Sequence, residues 1–279
     1  MANSINTNGG ALVALQTLNA TNKALETTQN RVNTGLKVSS AKDNGAIFAI
    51  ATSQRAEMGA QDSVRQSLQR GQSIVDVALA AGDTVTSALN ELKGLAVAIQ
   101  DAATGSDTAN KLNADFTAIV KEIGSALGGA KFDGVNLFDA NTAAIQVTTN
   151  TSGGKFDLKA VTATATDPTK GAAVTGPPAL AAYDFANTAD RTAANVDRAI
   201  SSFASTLADL GTKSKSLDRQ MTFVNKLQDS LETGIGNLVD ADLAKESARL
   251  TALQTKQQLG VQALSIANSS SSILLGLFR

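Results

Sequence analysis

The sequence predicts a mainly α-helical protein, an elongated helical bundle or coiled coil whose N- and C-terminal helices pair, with a small β-hairpin region at the tip. Three observations predict it: two long stretches with a 4-3 spacing of apolar residues, an amphipathic stripe near each terminus, and one segment in which apolar and polar residues alternate. Ala, the best helix former, supplies 48 of the 279 residues, whereas aromatic residues are 4%. This composition favours long helices packed at close range.

The first 4-3 repeat begins at Val64 and ends at Ile99 without a slip. An average step of about 3.5 residues keeps one side of a helix facing a partner helix. The repeat consists of Val64, Leu68, Gly71, Val75, Ala78, Gly82, Val85, Leu89, Leu92, Ala96 and Ile99. Its Gly and Ala members would let the two helix axes approach closely.

Two further helices follow from the same reasoning. The longer has seam residues Val196, Phe203, Leu210, Leu217, Val224, Leu231 and Leu238, with a second row of Ile200, Leu207, Ser214, Met221, Gln228 and Ile235. The shorter has Leu112, Phe116, Ile119, Ile123 and Leu127. The segment 104–107 before it supplies a capping residue.

Both ends of the chain carry less regular stripes. The N-terminal stripe is Leu12, Leu15, Leu18, Leu25 and Val32; the C-terminal one is Leu243, Leu250, Leu253, Val261, Leu264, Ala267 and Leu274. Polar residues such as Gln257 interrupt the C-terminal stripe. Such helices are poorly suited to fold alone, so we expect them to need each other or another subunit.

The middle of the chain has a different pattern. Apolar and polar residues alternate in 145–147 and again in 156–158, and Asn, Ser and Gly separate the two segments, which predicts a hairpin. The stretch 162–178 holds all three prolines and no periodicity, which indicates a loop or a small appendage.

Composition excludes several functional classes. Without Cys and His, the chain has no disulfide, thiolate nucleophile, imidazole base or ordinary zinc site, so we expect no catalytic, cofactor-binding or metal-binding residues. A net charge of -1 lacks the basic excess of a nucleic-acid binder. No basic n-region with an apolar segment opens the chain and no run of about 18 apolar residues occurs, so we expect neither a secretory signal peptide nor membrane insertion.

Both ends also resemble a known family. The string SINTNGGALVALQTLNATNKALETTQNRVNTGLKVSSAKDNGAIFAIA (4–51) is similar to the N-terminal signature of bacterial flagellins, and LVDADLAKESARLTALQTKQQLGVQALSIANSSSSILLGLFR (238–279) is similar to their C-terminal signature. KFDGVNLF (131–138) and the helical repeats extend the likeness, and the short middle resembles the compact flagellins of alphaproteobacteria.

The resemblance implies a subunit that is exported unfolded through the flagellar type III apparatus and polymerises into the extracellular filament used for swimming. It implies an inner coiled-coil domain of 1–40 with 240–279, a rod of 41–161 with 188–239, and a short variable tip at 162–187 with an outer domain minimal or absent. The implied partners are further copies of the chain or related flagellins, the flagellar cap, the hook–filament junction and an export chaperone.

Individual residues take roles from the same resemblance and from their apolarity. We expect inner-layer assembly contacts at six residues: Leu12, Leu15, Leu264, Leu274, Leu277 and Phe278. The alternative is that they pack within a monomeric bundle. Arg31, Gly35 and Lys42 would belong to the spoke between inner and outer layers, where Gly35 permits a turn and Ser39, Ser40 and Asp43 can cap the next helix.

Two surface features carry further expectations. Flagellins that activate the vertebrate innate receptor (Toll-like receptor 5) carry an Arg where this chain has Glu91, so the resemblance implies weak or absent activation. Family likeness also implies O-linked sugars on exposed hydroxyls such as Thr149, Thr151 and Ser152.

Two other functional classes remain as alternatives. A signalling or adaptor coiled coil would need a membrane segment or a partner-docking tip, and an enzyme would need chemistry that the composition does not offer.

Overall fold

The structure is a computed structural model and describes residues 8–139, 142–161, 185 and 187–276. The predicted helices and hairpin are confirmed. The helices are α1 (Gly9–Thr34), α2 (Gly45–Asp101), α3 (Asp107–Gly129), α4 (Ala193–Val239) and α5 (Leu243–Gly276). The strands are β1 (Ile145–Thr148) and β2 (Lys155–Leu158), and a short 3-10 helix spans Thr188–Asp190.

The chain forms two compact units. The first contains Met1–Met58 and Asp229–Arg279, and the second contains Gly59–Gln228. Helices α2 and α4 each contribute residues to both units.

The second unit is built on the predicted seam of α2. Val75, Val85 and Leu92 are fully buried there, and Ile99 at the end of the repeat is half-buried. Two seam glycines permit close approach: a Cβ atom on Gly71 would lie 2.7 Å from Val147 Cγ2, and one on Gly82 would overlap Leu207 Cδ2. The hairpin and α4 therefore pack directly against the backbone of α2.

The seven-residue row of α4 is confirmed in the second unit, where Phe203, Leu210 and Leu217 are buried. It changes in the part of α4 that belongs to the first unit. There, Leu231 and Leu238 are only half-buried, whereas Ile235 and Val239 are buried. A straight helix rotates by about 20° per heptad relative to a strict seven-residue row, so the inward-facing positions change along a helix of this length.

Helix α3 begins at the predicted cap, where Ser106 Oγ accepts a hydrogen bond from the Ala109 amide at 3.1 Å. Beyond its last residue, Gly129, the buried side chain of Asn136 donates through Nδ2 to the Leu127 carbonyl at 2.8 Å. Between Gly129 and Asn136 the chain reverses through Asp133 and Gly134, both with positive φ. The amide of Asn136 thus caps carbonyls at the end of α3 and fixes this turn.

The hairpin has the expected register, with Ile145 opposite Leu158 and Val147 opposite Phe156. Its predicted place at the tip is wrong. The amide of Thr148 donates to Ser67 Oγ at 3.0 Å, about 30 residues before α2 ends.

The reason is that α3 runs back along α2. Arg70 of α2 pairs with Asp133, just after α3, so the chain has already returned when the hairpin forms. The predicted tip, 162–187, lies outside the described residues except for 185 and 187.

A buried arginine marks the start of α4. Arg191 Nη1 donates to the carbonyl and side-chain oxygens of Asn113, both at 2.9 Å, and its Nε donates to the Phe185 carbonyl at 2.9 Å. The guanidinium lies 5.3 Å from the centre of the Phe116 ring. Burial lowers the pKa of Arg191 below its ordinary value. These contacts tie the beginning of α4 to α3.

A matched pair of Gly→Ala substitutions in α2 tests the close approach. Gly94→Ala, at an exposed position with no atom within 4 Å of the new Cβ, should raise the free energy of unfolding by about 0.5–1 kcal/mol. The free energy of unfolding of Gly71→Ala should be about 1–3 kcal/mol lower than that of Gly94→Ala, because the new Cβ collides with Val147. Urea denaturation of both variants measures the difference, and equal stabilities would contradict the packing described.

Candidate assembly site

The first unit is organised around an antiparallel pairing of α1 with α5. Asn8 Nδ2 donates to the Ala267 carbonyl at 2.7 Å, and Gln257 Nε2 donates to Asn22 Oδ1 at 2.8 Å. Arg31 meets Glu246 at 3.1 Å. Because the beginning of α1 contacts the distal part of α5 and its end contacts the beginning of α5, the two helices run in opposite directions.

The two helices meet along 4-3 seams, as in a coiled coil. The α1 seam is Ala11, Ala14, Leu18, Thr21, Leu25, Thr28 and Val32; the α5 seam is Glu246, Leu250, Leu253, Gln257, Gly260, Leu264 and Ala267. Half of this set was not predicted, because the predicted stripes followed large apolar residues and Gln257 was interpreted as an interruption. The 4-3 spacing of small and polar residues was the signal that could have found them.

Small residues bring the pair close together. A Cβ atom on Gly260 would lie 3.3 Å from Leu18 Cδ1 and 3.9 Å from Leu18 Cβ. Ala11 and Ala14 of the α1 seam and Ala267 of the α5 seam are further small residues. The helices therefore pair here with little side-chain volume between them.

The opposite end of the pairing holds an ion pair. Arg31 lies in the last turn of α1 and Glu246 in the first turn of α5, and their side chains are 26% and 11% exposed. Each charge has the sign that its helix end favours. The contact joins one atom of each group. Arg31 Nε and Glu246 Oε2 are buried without a hydrogen-bond partner among the described residues.

Backbone pairing secures the same end. Gly35 has a φ of 71° and caps α1, with its amide donating to the Arg31 carbonyl at 2.9 Å, so the predicted turn is confirmed. The carbonyl of Gly35 accepts from the Ala241 amide at 2.8 Å, and the Lys37 amide donates to the Val239 carbonyl at 2.6 Å. The segment after α1 is thus hydrogen-bonded to the α4–α5 junction.

The loop that leads into α2 is held by one carboxylate. Asp43 Oδ2 accepts from the amides and hydroxyls of Ser39 and Ser40, at 3.0–3.2 Å. The Ser40 amide is the largest cause that lowers the Asp43 pKa below its ordinary 3.8, followed by the Ser39 hydroxyl. The predicted capping of α2 by these three residues is wrong, because Asn44 Oδ1 accepts from the Ile47 amide at 3.1 Å. Lys42 is exposed in this loop.

The distal half of the α1–α5 pair has an unusual surface. Neither 1–22 nor 257–278 contains a charged side chain. Six large apolar side chains of this half, 43–69% exposed, form what we call the apolar surface: Leu12, Val13, Leu15, Leu259, Val261 and Ile266. The proximal half carries all the charges of the pair. An exposed apolar group of this size at one end of a helix pair is typical of a surface that another protein covers.

The predicted assembly residues fall into three groups. Leu12 and Leu15 lie outside the seam and are exposed, whereas Leu264 lies in the seam facing α1. Leu274 belongs to the end of α5, and Leu277 and Phe278 lie outside the described residues.

The remaining predicted surface residues belong to the second unit. Glu91 is exposed on α2, Thr151 and Ser152 are exposed in the hairpin turn, and Thr149 is half-buried.

The described residues give no indication of a metal centre or a membrane segment. No cluster of three or more possible metal-ligating side chains occurs among them. None of their helices has the length and apolarity needed to cross a bilayer.

Long seamed helices, a terminal helix pair and an apolar surface on that pair define a structural subunit of the kind that assembles with copies of itself. Comparison with known proteins gives the family. Residues 5–143 match the bacterial flagellin N-terminal helical region, and 193–278 match the bacterial flagellin C-terminal helical region. The chain belongs to the bacterial flagellins, the structural subunits of the flagellar filament.

Individual relatives agree along the whole chain. Flagellin FljM of Caulobacter vibrioides is 51% identical over 277 residues, which cover 99% of both chains. A flagellin of Brucella melitensis is 42% identical over 283 aligned positions, again 99% of both. A crystal structure of Bacillus cereus flagellin has a TM-score of 0.45 and 20% identity, over 57% of this chain and 88% of that one.

Removing one charge of the Arg31–Glu246 pair tests its burial. Glu246→Gln leaves the guanidinium without its counter-charge, and we expect the α1–α5 pairing to lose about 2–4 kcal/mol, somewhat less than for a fully buried pair. Hydrogen exchange of α1 amides measures this loss. The control is Glu26→Gln, at an exposed position of α1, which should change stability by less than about 0.5 kcal/mol. Equal protection in the two variants would argue against a buried pair.

The Asp43 loop gives a pH prediction. Because the folded pKa is lowered, the carboxylate stabilises the loop above its ordinary pKa, and this contribution is lost as the pH falls below 3.8 through the folded value. An NMR titration of the Asp43 carboxyl should have its midpoint below 3.8. Asp43→Asn should abolish the titration together with the protection of the Ser39 and Ser40 amides. A midpoint at or above the ordinary value would contradict these contacts.

Proposed function

We propose that this subunit polymerises by burying its apolar surface against neighbouring copies. The observation that carries the proposal is the concentration of exposed large apolar side chains on the charge-free half of the α1–α5 pair. Ile266, the most exposed of them at 69%, would gain most from being covered. A contact repeated with a rotation that does not close produces an open helical polymer.

The proposal assigns layers to the chain. The ranges 1–40 and 240–279 form the inner layer of the filament, 41–161 with 188–239 form the rod, and 162–187 is a short tip with little or no outer domain. The apolar surface lies wholly within the inner-layer ranges, which supports this division.

Within the inner layer, Leu12 and Leu15 contact neighbouring subunits directly. The family resemblance assigns the same role to Leu274, Leu277 and Phe278. Leu264 acts indirectly, since it packs in the seam and so positions the exposed residues beside it.

Arg31, Gly35 and Lys42 form the spoke between the layers. Gly35 and Arg31 fix the end of α1 through the contacts described above, and exposed Lys42 is the member available to a neighbouring subunit. The proposed role of Arg31 is therefore to hold the spoke in place from within the chain.

The cellular setting follows from family membership. We propose that the chain is exported unfolded by the flagellar type III apparatus, with an export chaperone, and is added to the extracellular filament at the cap beyond the hook–filament junction. A chain without Cys meets no crosslink during threading. The proposal includes no catalytic activity and no cofactor.

Hydroxyl groups of the hairpin turn are the proposed sites of O-linked sugars. Thr151 and Ser152 are exposed there, which supports modification. Thr149 is half-buried, so its modification would require local opening. Mass spectrometry of the peptide that spans 149–152 from native filaments tests this.

Lysine substitutions in α5 test the assembly proposal. Ile266→Lys should prevent burial of a side chain worth about 1.5–3 kcal/mol and raise the critical concentration for filament growth about tenfold or more. The control is Thr251→Lys, at an exposed position of the charged half of α5. Seeded growth followed by light scattering measures both. Filaments of Ile266→Lys that grow as readily as those of the control would overturn the proposed interface.

The receptor expectation has its own variant. We propose that Glu91, exposed on α2, opposes binding to the innate receptor through its charge. Glu91→Arg should therefore raise signalling in receptor-bearing cells above that of the parent protein. Asp83→Arg makes the same charge change at another exposed position of α2 and should have no effect. Strong signalling by the parent protein would contradict the proposal.

A further inference from the structure

The Arg31–Glu246 contact is unusual among the ion pairs of the described residues. In four other ion pairs of the described residues, at least one side chain is more than about a third exposed, whereas in this pair both are less exposed than that. Glu246 also occupies a position of the α5 seam, where apolar residues are the ordinary occupants, and Arg31 directly precedes Val32 of the α1 seam. Its position therefore calls for an explanation other than surface solvation.

Stability is a poor explanation. Removing both charges from water carries a large penalty, which a single contact offsets only in part. Arg31 Nε and Glu246 Oε2 are buried and have no partner among the described residues, so the pair forms fewer hydrogen bonds than it could. A well-packed apolar pair at these positions would hold the helices together at least as well.

The rest of the seam discriminates little between partners. It consists of Leu, Ala, Val, Thr, Gly and Gln, and the same chain carries two other long 4-3 seams in α2 and α4. No carboxylate lies in the α1 seam and no basic residue lies in the α5 seam. Pairing of α5 with a second α5 would therefore bury Glu246 against apolar residues, and pairing of α1 with a second α1 would leave Arg31, beside the seam, without a carboxylate of that seam to meet. Only α1 against α5 in the native register joins the two charges.

We propose that Arg31 and Glu246 determine which helices pair, and in which register, rather than how strongly they pair. The need for such a device is greatest where many copies bring identical seams together. One buried polar residue in a seam is a known means of fixing register and partner at the expense of stability. The inference concerns pairing within the chain and does not rest on the apolar surface proposed above.

Disulfide trapping tests this directly because the chain contains no Cys. A Cβ on Gly260 would lie 3.9 Å from Leu18 Cβ, which is within the range of a disulfide. Leu18→Cys with Gly260→Cys therefore reports the native register. Leu25→Cys with Gly260→Cys reports a slip of one heptad, since Leu25 lies about 10 Å further along α1. Each reporter is placed in three backgrounds: the parent chain, Arg31→Leu with Glu246→Leu, and Arg31→Glu with Glu246→Arg.

Yields of intrachain and interchain disulfides are measured in dissolved subunits and in seeded filaments, together with helix content and thermal stability. We expect the native crosslink to dominate in the parent background. In the double-Leu background it should fall more than about twofold, with the slipped and interchain crosslinks rising, while helix content and thermal stability stay the same or increase. The charge-swapped background should restore the native crosslink.

Two results would overturn the proposal. One is a double-Leu chain that forms the native crosslink as completely as the parent with no slipped or interchain product, because the backbone pairing next to Gly35 would then suffice to set the register. The other is a double-Leu chain that loses helix content or thermal stability, because the pair would then be a stabilising contact. Absence of the native crosslink in the parent chain would refute the α1–α5 pairing itself.

Discussion

Gly71 and Gly82 lie where a neighbouring side chain occupies the space that a Cβ atom would need, and a Cβ atom on Gly260 would be in tight contact with Leu18. In the second unit the hairpin and α4 pack against the glycines of α2, and in the first unit α1 packs against Gly260 of α5. A chain with 4% aromatic residues has few bulky groups with which to fill gaps, so its helices must approach closely to bury apolar area. The 4-3 spacing makes this possible, because it keeps the small residues on one side of each helix.

Polar side chains inside these seams perform a different task from the apolar ones. Glu246 and Gln257 of the α5 seam meet Arg31 and Asn22, which lie beside the α1 seam, only when α1 and α5 are aligned as observed. Asn136 acts similarly in the second unit, since its amide satisfies carbonyls at the end of α3 and so fixes where the chain turns. Apolar contacts supply most of the stability, while these few groups select one arrangement among several of similar packing.

Much of the fold could be predicted because its signals are periodic and local. The seam of α2, the cap at Ser106 and the register of the hairpin each follow from neighbouring residues. The α1–α5 seam was harder, because half of its members are small or polar and are recognised as inward-facing only when the partner helix is known. The position of the hairpin depends on the direction in which α3 returns along α2, a tertiary fact that no local pattern contains.

The candidate site, too, could be predicted from the sequence only in part. Leu12 and Leu15 were chosen from the sequence and are exposed, whereas the other four members of the apolar surface were not among the predicted assembly residues. The contact of Arg31 within its own chain could not be predicted from the sequence, because its partner Glu246 is 215 residues away. The cap of α2 was assigned to Ser39, Ser40 and Asp43 because several good capping residues occur in a row. Only the structure shows where the first turn of α2 begins, and there Asn44 provides the cap.

The absence of charged side chains from 1–22 and 257–278 has a consequence for how contacts made there respond to the solvent. Screening by salt acts only on charges, and protons bind only to titratable groups. Contacts between side chains of these two segments are therefore indifferent to ionic strength and to pH over the range in which Asp, Glu and Lys titrate. Dilution into fresh water or a shift in acidity would act on the subunit through the charged residues of 23–256 and Arg279, and would leave contacts between the two charge-free segments governed by the hydrophobic effect and by temperature.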